Sequence, residues 1–361
     1  MRITANHVTL LRLVFLPLPC ALLFGGPWHK SLALVLFIVL GLTDYLDGYL
    51  ARKQGPTTLG ALIDPMADKI FVTAMFVPLA QLGAVPIWMV LLLFVREYVV
   101  TELRSIHGSH GAQFKTSELA KYKTTIQMIG GAVIIFNGIL GDHWAAFVPL
   151  GGFFLFTLAL ARWTYLRHGR LGPRIITFVT LVGWALGMRA FFPYQTTNWA
   201  IMALVMGITL LSGIQYVYQT WRHLGSFLRR QPGLAQWASF VGIGFAFPAI
   251  YLSALSFREA EAWIIILVLS LEFATGGLNN LLATLRARAP YIPPTTKIII
   301  LNAAGLLGLA FLALPLPGRI RMLNALLFLG LLASLVYCAR TFYLNRRTLF
   351  GDAEFSARTV A

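Results

Sequence analysis

Four aspartates, Asp44, Asp47, Asp64 and Asp68, crowd into DYLDGYLARKQGPTTLGALIDPMAD, residues 44–68. The flanks are apolar: LVLFIVLGLT runs in and KIFVTAMFVPLA runs out. Asp44 and Asp47 stand three apart and Asp64 and Asp68 four apart. On helices each pair therefore shares a face. Antiparallel helices joined by the RKQGPTTLG loop would present all four carboxylates across a narrow gap. Negative charges gathered at low dielectric either protonate or recruit cations. An all-carboxylate donor set suits the hard ions Mg²⁺ and Mn²⁺. Paired ions of that kind suit displacement at phosphorus, where they hold the attacking and leaving oxygens. Gly48 and Gly60 leave the backbone open to a bulky ligand. Arg52 is placed to pair with a phosphate oxygen. Pro65 reads as a first-turn residue of the second helix, where no amide donor is needed.

The elements carrying this cluster must sit in a membrane. The 361 residues are 58% hydrophobic and 12% charged, with mean hydropathy +0.74. Soluble domains run at about 45–50% apolar and about 25% charged. Lipid offers no hydrogen-bond partner to an open strand, so the expected fold class is an all-α, polytopic membrane helical bundle. About twelve segments are long and apolar enough to span the bilayer by the usual length rule. They lie near 8–26, 31–50, 68–86, 87–105, 123–140, 145–165, 175–192, 198–221, 235–255, 262–285, 298–316 and 322–342. The opening MRITANHVTLLRLVF reads as a first helix rather than a cleaved signal. Cys20 and Cys338 lie in apolar runs and read as small core residues. His107 and His110, in RSIHGSHG, read as loop histidines, because no third metal ligand lies near them in sequence.

The formal charge of +16 has the same explanation. With the N-terminus in the cytoplasm, Arg52, Lys53, Arg104, Lys115, Lys121, Lys123, Arg162, Arg167, Arg170, Arg174, Arg222, Arg229, Arg230, Arg286, Arg288, Lys297, Arg340, Arg346 and Arg347 fall on the cytoplasmic side. The other side carries Lys30, Arg189, Arg258, Arg319 and Arg321. This is the positive-inside pattern of a multi-pass protein, here one of the cytoplasmic (inner) membrane with its aspartate cluster facing the cytoplasm. Basic loops also suit anionic membrane lipid. There is no aromatic-interleaved basic groove, so nucleic acid is not an expected partner.

The chain also reads as a tandem duplication. VLGLTDYLDGYLARKQG (39–55) parallels VMGITLLSGIQYVYQTWRHLG (205–225), and WMVLLLFVREYVVTELR (88–104) parallels WIIILVLSLEFATGGLNNL (263–281). LALARWTYLRHGR (158–170) parallels LVYCARTFYLNRR (335–347). The expectation is a catalytic half, residues 1–170, and a second six-helix half, 171–361, that is a degenerate repeat. Leu210 and Gly213 stand where Asp44 and Asp47 would, so the second half lacks the aspartates. Glu272 reads as the relic of Glu97.

The pattern Asp44-x2-Asp47-Gly48-x2-Ala51-Arg52-x7-Gly60-x3-Asp64-x3-Asp68 resembles, at every fixed position, the motif of the CDP-alcohol phosphotransferase family. Members are six-helix integral membrane enzymes, usually homodimers, that replace the CMP of a CDP-linked lipid or alcohol with an acceptor hydroxyl, using divalent metal. The resemblance implies that Asp44, Asp47, Asp64 and Asp68 hold Mg²⁺ or Mn²⁺ and the diphosphate. It implies that Asp68 is the general base, and that Gly48, Ala51, Arg52 and Gly60 line the cytidine diphosphate site. NHVTLLRLVFLPLP, ALIDPMADKI, REYVVTELR and KYKTTIQM are similar to the phosphatidylglycerophosphate synthase branch of the family, over residues 4–168. That branch transfers phosphatidyl from CDP-diacylglycerol to sn-glycerol 3-phosphate. An anionic acceptor agrees with the cations Arg96, Arg104, Lys121 and Lys123, which are expected to bind its phosphate. Thr9 and Arg12 lie on the same side in the first helix. Inositol phosphate and phosphatidylglycerol are the alternative acceptors. A transporter or lipid-binding protein is the alternative class, because transporters also use repeats, though their charged features sit in both halves near the midplane. The second half is expected to pack on the first as an intrachain pseudo-dimer in place of a homodimer partner, with a homodimer of the whole chain as the alternative.

Overall fold

The computed structural model describes residues 4–55, 57–108, 118–142, 146–229, 240–257, 260–285, 295–314 and 317–350. His110, Lys115, Arg230, Arg258, Arg286 and Arg288 lie outside these residues, and the side chains of His107, Lys121, Arg222 and Arg229 are likewise not described. The helices are α1 Ala5–Phe15, α2 Pro17–Leu22, α3 Pro27–Gln54, α4 Thr58–Gln81, α5 Ile87–Gly108, α6 Glu118–Leu140 and α7 Phe147–His168. The second half adds α8 Pro173–Arg189, α9 Tyr194–Arg229, α10 Phe247–Ser253, α11 Ala262–Leu285, α12 Thr295–Ala313 and α13 Arg319–Phe350. A π-helical turn, Gly242–Ala246, leads into α10. There is no strand among the described residues.

Each expected span has a helical counterpart, but not all are equally fit to cross lipid. Among the described residues, seven helical stretches are long and apolar enough to cross a membrane by length and composition. Ile175–Arg189, Gly242–Ser256 and Lys297–Leu312 are apolar but shorter. The remaining two, α4 and α5, are long but charged, carrying Asp64, Asp68 and Lys69 on α4 and Arg96, Glu97, Glu102 and Arg104 on α5. Those charges can be carried inside a bundle because neighbouring helices cover them. The chain is thus a membrane-embedded helical bundle. Its lipid-facing skin includes Val14, Trp28, Val35, Val148, Leu155, Leu166, Leu211, Ile214 and Val336, all largely exposed.

Local chemistry sets the ends nearest the aspartates. Pro17 has no amide to donate, so the first span breaks into α1 and α2 there. Gly55 closes α3 with φ +89°, a conformation that favours glycine. The next helix starts earlier than the sequence suggests. Thr57 caps α4, its side-chain oxygen accepting from the Gly60 amide at 3.0 Å. Pro65 is therefore an interior residue of α4, not a first-turn one. Its missing N–H leaves one gap in the ladder beside Asp64.

Packing is shared between residues 1–170 and 171–361. α1 lies on α3 and α4, and α3 reaches α6. From the second half, α11 packs on α4 and α5, while α9 packs on α5 and α6. One contiguous apolar cluster runs from Leu16 through Phe76, Phe94, Val205 and Phe273 to Leu331. At its centre the Tyr98 and Phe273 rings stack with centroids 4.1 Å apart and planes at 4°. The Tyr98 hydroxyl donates to the Leu269 carbonyl at 2.8 Å.

Candidate active site

The aspartates converge on α1. Arg12 has a fully buried side chain, and its guanidinium lies among the carboxylates of α3 and α4. It reaches Asp44 at 2.9 Å, Asp47 at 3.5 Å and Asp68 at 3.5 Å. The fourth carboxylate is tied in by Thr9, whose hydroxyl lies 3.0 Å from Asp47 and 3.2 Å from Asp64. A full positive charge among four acids offsets part of their mutual repulsion. Thr9 and Arg12, which sequence placed only on the right side, thus stand at the centre of the cluster.

The donor chemistry fits a hard divalent cation. No three acidic, histidine or cysteine side chains among the described residues are close enough to share one ion, and the Arg12 guanidinium stands among the carboxylates. Asp44 and Asp68 remain about one-third exposed, so they are open to an incoming ligand. Arg12 also keeps its buried Nε without a hydrogen-bond acceptor, and its second terminal nitrogen has only the long 3.5 Å ion pair to Asp47. Such orphans are rare in folded proteins and suit a phosphate oxygen.

The residues expected around the nucleotide divide. Gly48 is half-buried beside Arg52, and Arg52 itself is exposed at the end of α3 with Ala51 partly covered before it. Gly60 is buried, and its open side is already filled. A Cβ there would lie 2.9 Å from the Thr57 hydroxyl and 3.0 Å from Asn6 Oδ1. The missing side chain admits the Asn6–Thr57 contact, in which Asn6 Nδ2 donates to Thr57 Oγ1 at 3.2 Å. That contact latches α1 to the start of α4.

Asp68 borders both of the site's cavities. On one side is an apolar groove of about 790 Å³, walled by Phe37, Phe71, Phe136, Phe153 and Phe178, with Asp44 and Asp68 as its charged lining. On the other is a small cleft lined by Asp68, Lys69, Glu97, Lys123 and Gln127, closed by Phe273. Of the four cations expected to bind acceptor phosphate, Lys123 reaches this cleft, paired with Glu97. Arg96 turns away and bonds α9 through the Thr209 carbonyl at 3.1 Å and the Ser212 hydroxyl at 2.8 Å. Arg104 lies over the Tyr216 ring of α9, 5.4 Å from its centroid. Lys121 is on α6, one turn from the cleft residues, with its side chain outside the description. Sequence reasoning missed Lys69. It bonds the Thr101 hydroxyl and sits 5.2 Å from the centre of the Phe273 ring. Its signal was present: a lysine directly after the last aspartate, at the start of an apolar run.

Known proteins are similar to this chain over part of its length. The sequence model described as CDP-alcohol phosphatidyltransferase matches residues 2–164. A CDP-diacylglycerol–glycerol-3-phosphate 3-phosphatidyltransferase of Cereibacter sphaeroides is 39% identical over 145 residues, which span 38% of this chain and 65% of the relative. The enzyme of that name from Bacillus subtilis is 30% identical over 37% of this chain and 77% of its own length. A probable phosphatidylglycerophosphate synthase of Mycobacterium tuberculosis is 38% identical over 43% of this chain and 76% of its own. Taken with the four carboxylates gathered on α3 and α4, these matches make the chain a member of the CDP-alcohol phosphatidyltransferase family.

Proposed function

We propose that the protein transfers the phosphatidyl group of CDP-diacylglycerol to sn-glycerol 3-phosphate, giving phosphatidylglycerophosphate and CMP in phospholipid biosynthesis. The observation that carries this reading is the place of Asp68, between an aromatic groove with room for acyl chains and a tight cleft whose cations, Lys69 and Lys123, have the charge a phosphate-bearing acceptor calls for. The names of the relatives support the same donor and acceptor.

In this reading Asp44, Asp47, Asp64 and Asp68 would hold the divalent cation, Mg²⁺ in the first instance. The ion supplies charge neutralisation for the diphosphate and the leaving group. Arg12 offers its unfilled donors to a diphosphate oxygen, and Arg52 awaits the nucleotide from the end of α3. Lys123, with Lys69 behind it, orients the acceptor's phosphate. Asp68 takes the proton of the acceptor hydroxyl. The freed oxygen forms a bond to the β-phosphorus, the bond from that phosphorus to the CMP oxygen breaks, and CMP leaves with the electron pair. The site faces the cytoplasm of the inner membrane, where the soluble substrate is found.

We also propose that residues 171–361 are a duplicated half that occupies the place of a second protomer. Buried acid–lysine pairs support this: Lys123 on Glu97 in one half, and Lys297 on Glu272 at 2.7 Å in the other. The residues following the acids, Tyr98 and Phe273, are those that stack across the join.

The test is CMP release from CDP-diacylglycerol with glycerol 3-phosphate, inositol phosphate or phosphatidylglycerol, in Mg²⁺ and in EDTA. Turnover should require glycerol 3-phosphate and Mg²⁺. Asp68→Asn should lose about 100-fold or more, the usual contribution of a general base. Release that survives both EDTA and Asp68→Asn would overturn the mechanism.

A further inference from the structure

Arg96 is held in a socket that the catalytic half does not contain. It lies mid-helix on α5, 8% exposed, with its guanidinium against α9. Thr209 offers a backbone carbonyl at 3.1 Å to Nε, and Ser212 a hydroxyl oxygen at 2.8 Å to a terminal nitrogen. The third nitrogen is left for Glu97, whose two carboxylate oxygens lie 3.3 Å away. Gly213 makes the room. A Cβ there would stand 2.7 Å from Arg96 Cγ and 3.2 Å from Nε. Thr209 enters the network a second time, its hydroxyl 3.3 Å from Gln127 Nε2, which also lies 3.3 Å from Glu97. All of these polar groups are buried.

The network ends at the cleft. Glu97 is shared by Arg96 and Lys123, and Lys123 stands with Asp68 on the cleft wall. One carboxylate cannot fully neutralise two cations. While Arg96 stays on Glu97, Lys123 keeps part of its charge for another anion. Were Arg96 displaced, Glu97 would pair with Lys123 alone, and that spare charge would be lost. Buried charges feel such changes strongly, because little solvent screens them. The socket residues lie outside the segment matched by the family, residues 2–164.

We infer that Thr209, Ser212 and Gly213 of α9 are positioning residues for acceptor recognition: they seat Arg96 on Glu97, and so leave Lys123 charged toward the acceptor's phosphate. The second half thereby tunes a site whose reacting groups all belong to the first. This rests on the proposed use of glycerol 3-phosphate.

The experiment uses the full chain in CDP-diacylglycerol micelles with Mg²⁺, varying each substrate in turn. Gly213→Val displaces Arg96. It should raise KM for glycerol 3-phosphate by about tenfold, the equivalent of one lost charge-assisted hydrogen bond. KM for CDP-diacylglycerol and kcat should stay within about twofold, well inside that single-bond effect. Ser212→Ala should shift the same constant in the same direction by less, and Ser212→Thr, which keeps the hydroxyl, should restore it. Gly207→Ala is the control on the same helix, since nothing lies within 4 Å of its added carbon. Should Gly213→Val fail to fold, the Ser212 pair decides. An unchanged acceptor KM in the folded variants overturns the socket, as does a parallel loss in kcat and both KM values that tracks thermal stability. A wild-type enzyme that turns over no glycerol 3-phosphate overturns the functional reading and the socket together.

Discussion

Arg12 is the residue on which the site's electrostatics turn. It is fully buried and ion-paired to three aspartates. Removing it leaves four acids facing one another, so a cation should matter more to the fold. Arg12→Met should be stabilised by Mg²⁺, and destabilised by EDTA, by a larger shift in Tm than the wild type. Equal shifts in both proteins would refute the idea that the guanidinium shares the cation's neutralising work. The aspartates themselves were legible from spacing, since three- and four-residue steps name a helix face. Arg12 was less so. A helix shows its face in sequence, but which partner it meets is set by packing that spacing does not encode. The same holds for Arg96. Its charge and depth were plain in REYVVTELR, yet its direction depends on a glycine over a hundred positions later.

At the scale of elements, helix type and approximate position were readable throughout, because membrane spans announce themselves by length and apolarity. What was not readable was where charged helices stop being lipid-facing. α4 and α5 are covered by α9 and α11, and this cover is what lets them carry acids and bases in a bilayer. The start of α4 was misread because RKQGPTTLG looks like loop, whereas the Thr57 cap turns Leu59, Gly60 and the residues after them into helix. The second-half pair offers a clean test of such buried charge. Lys297 and Glu272 have side chains only 5% and 2% exposed, and Ser334 adds a bond to the acid at 2.9 Å. Lys297→Met strands the carboxylate and should cost about 3–5 kcal/mol. Replacing both partners, Lys297→Met with Glu272→Leu, should recover most of that loss. Thermal melts of the two variants in one detergent check this, and equal destabilisation by both would refute it.

For the whole molecule, the joined halves have a common core, so neither is expected to be independent. Residues 1–170 alone would expose the faces of α4, α5 and α6 that now meet α9 and α11. The truncated chain should aggregate on extraction or release no CMP, judged by size exclusion and by assay. Full activity from a well-dispersed fragment would refute this dependence. The proposed duplication rests in sequence on matched spans with matched basic ends. The stack of Tyr98 on Phe273 shows where those spans meet. The position of Asp68 between groove and cleft has a consequence for how the enzyme must be measured. Its partners on the two sides live in different phases. One is counted per area of bilayer and the other per volume of water. Diluting the donor with inert lipid, at fixed bulk amounts of everything, should slow the enzyme, while adding more vesicles of the same composition should not. A rate law written in molarities alone would describe half of the reaction.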